Sequence, residues 1–189
     1  LFVNDRFDPT YIEWNVLNDF AERGNIIWIA TESISDLVNS TLDINILPPG
    51  LGFPDVKPVE DSVTIYFDRL GWPKDPYPIP ERYLSRIIPG KKSLLRHSPV
   101  MMSHEGEYAA IFIPVGEGGI CLSSFPRMIS NYGLLDARYE SMISGLLSIL
   151  PEDLETVYWD EWIKVGNKRR RNDREAEDGP SPLSFIWQQ

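Results

Sequence analysis

The first forty residues alternate between two hydrophobic periods. Ile12, Val16, Leu17, Phe20 and Ala21 recur at helical spacing, which predicts an amphipathic helix opened by Asp8 and Pro9 and closed by a left-handed Gly24. Asn25 to Ala30 is then a continuous, largely apolar run. That is the pattern of a central parallel strand covered by helices, with Ile26 and Trp28 on one face and Ile27 and Ile29 on the other. Ser33 with Asp36 predicts a short second helix reaching Leu42, which places Thr31, Glu32 and Ser33 just beyond the strand's carboxyl end.

Further along, Ser62 to Phe67 and Tyr108 to Val115 read as strands and Ser93 to His97 as a brief one. Gly116 to Gly119 tolerates the positive φ of a tight turn and folds the chain into Ile120 to Ser123, predicting an antiparallel hairpin. Leu135, Tyr139, Met142, Ile143, Leu146, Leu147 and Leu150 share one stripe, which predicts a long helix from Leu134 to Leu150, followed by a closing strand at Thr156 to Trp159. Leu47 to Pro58 and Gly71 to Pro80 are rich in proline or glycine and read as loops. Asn167 to Gly179 mixes charges without a large apolar residue and reads as a mobile loop. Helices alternating with strands indicate a single α/β domain over residues 1–189, with a mostly parallel sheet layered between helices and one antiparallel hairpin.

Composition narrows the function classes. With 42% hydrophobic and 24% charged residues, the chain suits one domain with a substantial core. The net charge of -10 opposes phosphate backbones, so nucleic acid is not an expected partner. Cys121 is the sole cysteine, which removes intrachain disulfides and cysteine-pair zinc patterns. No apolar run approaches the roughly 18 to 20 residues of a membrane span, and Leu1 begins in mid-pattern without a signal peptide; the chain reads as an excised soluble piece.

Candidate chemistry is sparse. Gly116 to Gly119 lacks the Lys-Ser/Thr ending and the following helix of a phosphate cradle, so a hairpin turn is the better reading. Cys121 lies within a predicted strand rather than on a strained turn beside a histidine, as a buried small side chain would. His97 and His104 are too few and too irregularly spaced for a metal site of their own, and neither metal nor cofactor is expected. Asp160-Glu161 is the foremost pair, because adjacent carboxylates after an apolar strand sit where open α/β sheets place ligands. Neighbouring strand ends would add Glu32, Ser124 and Asn131 to a ligand-binding set. The competing structural reading has Asp160 capping a turn or pairing with Lys164.

The order of Leu17 to Ala30, Gly116 to Leu135, Val157 to Trp162 and Ser181 to Ile186 resembles a domain-of-unknown-function family, DUF 4350, in its Bacteroidetes-type, membrane-anchored form. The resemblance implies a three-layer, mostly parallel fold, flavodoxin-like or class I glutamine-amidotransferase-like, without the amidotransferase's catalytic cysteine and histidine. It implies a strand and helix upstream of Leu1, and transmembrane segments flanking the domain and absent from this chain. The domain would then be periplasmic, on the extracytoplasmic side of the bacterial inner membrane, with a protein partner there and Ser181 to Trp187 as its exit toward the bilayer. Trp162-Ile163-Lys164 stands where many members carry an aromatic residue and histidines, which weakens a metal site. The function expected on this basis is a non-enzymatic ligand- or protein-binding domain. The alternative is a hydrolase-like or transferase-like enzyme using Asp160, Glu161 and Asn131, and a third reading is a spacer between membrane anchors.

Overall fold

The first helix shows how local chemistry sets the elements. In the computed structural model, which describes residues 1–48, 62–67, 76–80, 83–92, 96–103, 106–151 and 154–159, helix α1 spans Tyr11–Glu22 and is capped by Thr10. The Thr10 hydroxyl accepts the Glu13 N–H at 3.3 Å while the Glu13 carboxylate accepts the Thr10 N–H at 2.6 Å, a reciprocal box that outcompetes the predicted Asp8-Pro9 start. Trp14, Val16, Leu17 and Ala21 are buried, whereas Ile12 faces solvent; the apolar stripe is turned toward Trp14. Gly24 ends the helix with φ +96, as predicted.

Among the described residues nine strands form one sheet: β1 (Phe2–Phe7), β2 (Ile26–Ile34), β3 (Ile44–Leu47), β4 (Ser62–Phe67), β5 (Tyr77–Pro80), β6 (Arg86–Pro89), β7 (Ser98–Ser103), β8 (Tyr108–Val115) and β9 (Gly118–Ser123). Their main order is β1-β2-β9-β8-β7-β4-β5, with β6 on β8 and β3 on β6. Only β1–β2 and β2–β9 pair in parallel; every other pairing among the described residues is antiparallel. The expected three-layer, mostly parallel, flavodoxin-like sheet is therefore incorrect. The sheet is mixed and curled into a half-barrel. Register shifts in β7 beside Pro99 and Met101 belong to this bending, because an unpaired extra residue increases local twist.

Strand β2 is parallel to both neighbours, as its apolar run predicts, but lies one place in from the β1 edge rather than at the centre of the sheet. Trp28 and Ala30 enter one core with Ile65, Phe67, Met142 and Leu146. Ile27 and Ile29 enter the other with Trp14, Leu17, Val38 and Ile44. The strand runs on to Ile34, so Thr31, Glu32 and Ser33 are paired strand residues rather than loop. Ser35, not Ser33, caps α2 (Asp36–Leu42). The β8–β9 hairpin forms as expected, with Gly116 at φ +58.

Other elements depart from expectation. Tyr77–Pro80 is a strand despite its prolines, which is tolerated because β5 ends the strand order and needs no second ladder. The brief strand is Ser98–Ser103; Arg96 and His97 precede it. The helix expected from Leu134 to Leu150 is a 3-10 turn at Ala137–Tyr139 followed by α5 (Glu140–Leu147), and two short helices, α3 (Pro126–Ile129) and α4 (Asn131–Leu134), precede it. Asp136 causes the break between α4 and this turn by accepting the Arg138 N–H at 3.0 Å and starting a new turn, which leaves Leu135 87% exposed. Thr156 to Trp159 forms no strand; the Leu1 ammonium donates to the Tyr158 carbonyl at 2.7 Å. The predicted loop at 167–179 and the run 181–187 lie outside the described residues.

Candidate functional site

The parallel trio β1, β2 and β9 carries its carboxyl ends to one edge of the molecule. Asn4 pairs with Thr31 and Arg6 with Ser33, a register that sets Asp5 across from Glu32 on the neighbouring strand. Val3, Trp28 and Ala30 belong to the core on α5's side, and Glu32 stands near Arg127 of the helix that covers that core. Asp5 is exposed and Glu32 half-buried. Two carboxylate residues thus stand at facing positions of adjacent strands, near the strand ends that commonly present groups to a ligand.

The residues after β9 complete the surroundings. The chain turns at Ser124 and Phe125 into α3, whose Met128 and Ile129 are buried in the same core, so that Arg127 faces outward above the strand ends. Its Nε donates to the Glu32 Oε1 at 3.3 Å. Its guanidinium carbon stands 5.0 Å from the centre of the Tyr83 ring, a cation–π contact that fixes its plane.

Ser124 has a different role from the one expected of it. Fully buried, its hydroxyl lies within hydrogen-bond reach of the Ser85 carbonyl at 2.6 Å and the Ala109 carbonyl at 3.0 Å, while the Ser85 N–H returns to the Ser124 carbonyl at 3.1 Å. These bonds tie the Ser85 backbone to the end of β9. Asn131 is exposed at the start of α4, and its carbonyl accepts the Leu135 N–H at 3.2 Å. No contact among the described residues joins it to Glu32. Asp160 and Glu161 lie outside the described residues.

Other chemistry is limited. Cys121 is buried within β9, where burial pushes its thiol up to about 12, so it is no thiolate nucleophile near neutral pH. His97 packs edge-on against Tyr108 at 5.0 Å. Among the described residues no three His, Cys, Asp or Glu side chains converge as metal ligands, and no helix is long and apolar enough to cross a membrane.

Of these neighbours the sequence pattern singled out Glu32 and not Asp5, Arg127 or Tyr83. Asp5 was obscured because only Leu1 to Val3 reads as apolar, although Phe7 ends the same strand. Its neighbourhood with Glu32 depends on the register between strands about twenty residues apart.

No family model and no curated protein matches the chain. Solved structures do. An exo-β-1,4-mannosidase from Opitutaceae bacterium strain TAV5 is 14% identical, with a TM-score of 0.47 over 79% of this chain and 26% of its own. A β-galactosidase from Bacillus circulans sp. alkalophilus is 12% identical, with a TM-score of 0.47 over 82% of this chain and 23% of its own. A cold-adapted β-galactosidase from Rahnella sp. R3 is 11% identical, with a TM-score of 0.47 over 80% and 22%. The chain spans about a quarter of the length of the structures it matches.

These findings correct what the resemblance implied. Membership of DUF 4350 is overturned by the lack of any family match. The expected reading as a non-enzymatic binding module, and with it the expectation that the chain is not an enzyme, is not carried forward. The flavodoxin-like and membrane-anchored descriptions rested on that family and lose their ground with it.

Proposed function

We propose that the chain is a hydrolase-type unit acting on glycosides at the carboxyl ends of β1 and β2, with Asp5 and Glu32 as its working carboxylates. The observation that carries this is the register that sets Asp5 across from Glu32, whose carboxylate pairs with Arg127. Hydrolysis of an acetal needs a proton donor and a second carboxylate, and no activated serine or cysteine. Neighbouring strands lie about 4.8 Å apart, a spacing compatible with the roughly 5–10 Å that separates such carboxyl groups. Arg127 orients Glu32 and has further N–H donors for hydroxyl groups, and Tyr83 supplies an aromatic ring beside the pair, suited to the apolar face of a pyranose. The proposal rests on this geometry and not on likeness to other structures.

The test is turnover of a panel of aryl glycosides, β-galactoside and β-mannoside among them, by the purified chain and by Glu32→Gln and Asp5→Asn. Each variant is expected to keep its fold and to lose on the order of a hundredfold or more in kcat. Undiminished turnover in the double variant, or no release of aglycone from any member of the panel by the parent chain, would overturn the assignment.

A further inference from the structure

The run from Pro89 to His97 carries Lys91, Lys92, Arg96 and His97 and no carboxylate, in a chain whose 28 acidic residues outnumber its 18 lysines and arginines. The ion pairs among the described residues join Arg6 to Asp8, Arg86 to Glu107, Arg127 to Glu32 and Arg138 to Asp136; none takes in Lys91, Lys92 or Arg96. In so acidic a protein, cations left in water beside abundant carboxylates are placed to meet an anion from outside.

Lys92 and Arg96 line a polar cleft of about 550 Å³, within the size range of small-molecule sites. Asn18 of α1, Ser40 and Thr41 at the end of α2, and Gly116 of the hairpin turn form other parts of its wall. It lies at the amino end of β9, on the α1 side of the sheet. The Asp5–Glu32 pair is at the opposite end of the strands.

The backbone beneath Lys92 is fixed. Asp43, at φ 55, accepts the Lys92 N–H on Oδ2 at 2.8 Å and the Gly90 N–H on its carbonyl at 2.6 Å. A Cβ at Gly90 would stand 2.3 Å from that carboxylate, so glycine lets the two segments close together. Asp43 also lines the cleft, but its Oδ2 is turned to this backbone.

Other lining residues offer acceptors. The Ser40 and Thr41 hydroxyls donate to the Leu37 carbonyl at 3.0 and 2.7 Å, and the Asn18 amide nitrogen donates to the Trp14 carbonyl at 2.8 Å. Each side chain has thereby committed a donor and retains oxygen lone pairs. Cations and acceptors lining one cleft suit a ligand that carries both an anionic group and hydroxyl donors. Bare phosphate would leave the acceptors unused, and a neutral sugar would leave the cations unused. The geometry points to a binding site for a phosphorylated monosaccharide, its phosphate on Lys92 and Arg96 and its hydroxyls on Asn18, Ser40 and Thr41.

Calorimetric titration of the full chain with glucose-6-phosphate, glucose and inorganic phosphate tests this. Glucose-6-phosphate is expected to bind about tenfold or more tightly than inorganic phosphate, glucose not to bind, and added salt to weaken the complex. Lys92→Ala with Arg96→Ala should abolish binding of both anions; both side chains are exposed, so the variant folds. Ser40→Ala with Thr41→Ala should lower affinity for the sugar phosphate and leave that for inorganic phosphate unchanged. Equal affinity for the two anions would reduce the site to an adventitious anion patch only and overturn the inference. So would absence of glucose-6-phosphate binding at millimolar concentration, or its survival in the Lys92/Arg96 double variant.

Discussion

Cys121 illustrates how much one buried atom depends on its surroundings. Burial raises its thiol from 9.0 to about 12 in the folded protein. The folded value lies above the unfolded one, so the stability this group contributes is fully present below about pH 9 and is lost as pH rises toward 12. Comparison of wild type with Cys121→Ala by urea melts over this range should show a shallower alkaline decline in the variant. At pH near 8 a thiol reagent should find no reactive cysteine until urea unfolds the chain. Asp136 shows the opposite sign. Its hydrogen bonds from the Arg138 side chain and backbone lower its carboxyl below the usual range, so its contribution is present above that range and is lost as pH falls through the lowered value. An NMR titration of the Asp136 carboxyl should show the depression, and Arg138→Ala should largely remove it; an unchanged titration would dissociate the pair from the break before α5.

At the scale of elements, short-range chemistry decides boundaries and long-range packing decides where elements lie. Thr10→Ala removes one half of the capping box and should cost about 1 kcal/mol in a denaturant melt. Gly145 is more demanding: a Cβ there would sit 2.6 Å from the Phe67 ring, so α5 approaches β4 at glycine distance. Gly145→Val should cost roughly 1–3 kcal/mol through overpacking, and an unchanged melt would mean that α5 can shift outward. The same division explains what could be read from residues in order. The apolar run of β2, the glycine hairpin of β8 and β9 and the stop at Gly24 are local signals. The end of the long helix was missed because Asp136 also caps, and its cap outweighed the apolar spacing of Leu135 and Leu147. Strand β5 was missed because proline excludes a strand only where both edges must pair. Asp5 across from Glu32 is a fact of register, and Arg127 over Tyr83 is a contact between residues distant in sequence; neither has a local signature.

For the molecule as a whole, β2 is the wall shared by both cores. Ile27 and Ile29 face α1 and α2, while Trp28 and Ala30 face α3 and α5, and the curled sheet lets one strand serve both without a break. Damage on one side should therefore be felt on the other. Ile27→Asp would place an unpaired charge in the α1-side core at a cost of about 3–5 kcal/mol. Hydrogen exchange followed by mass spectrometry can tell whether that loss spreads. Under the shared-wall arrangement, segments from Trp14 to Ala21 and from Tyr139 to Leu146 should lose protection together in the variant, because opening either core exposes the same strand. If α5 kept its wild-type protection while α1 lost its own, the two cores would be separate cooperative units. The Glu32–Arg127 contact, which joins β2 to α3 on α5's side, would then depend on that core alone.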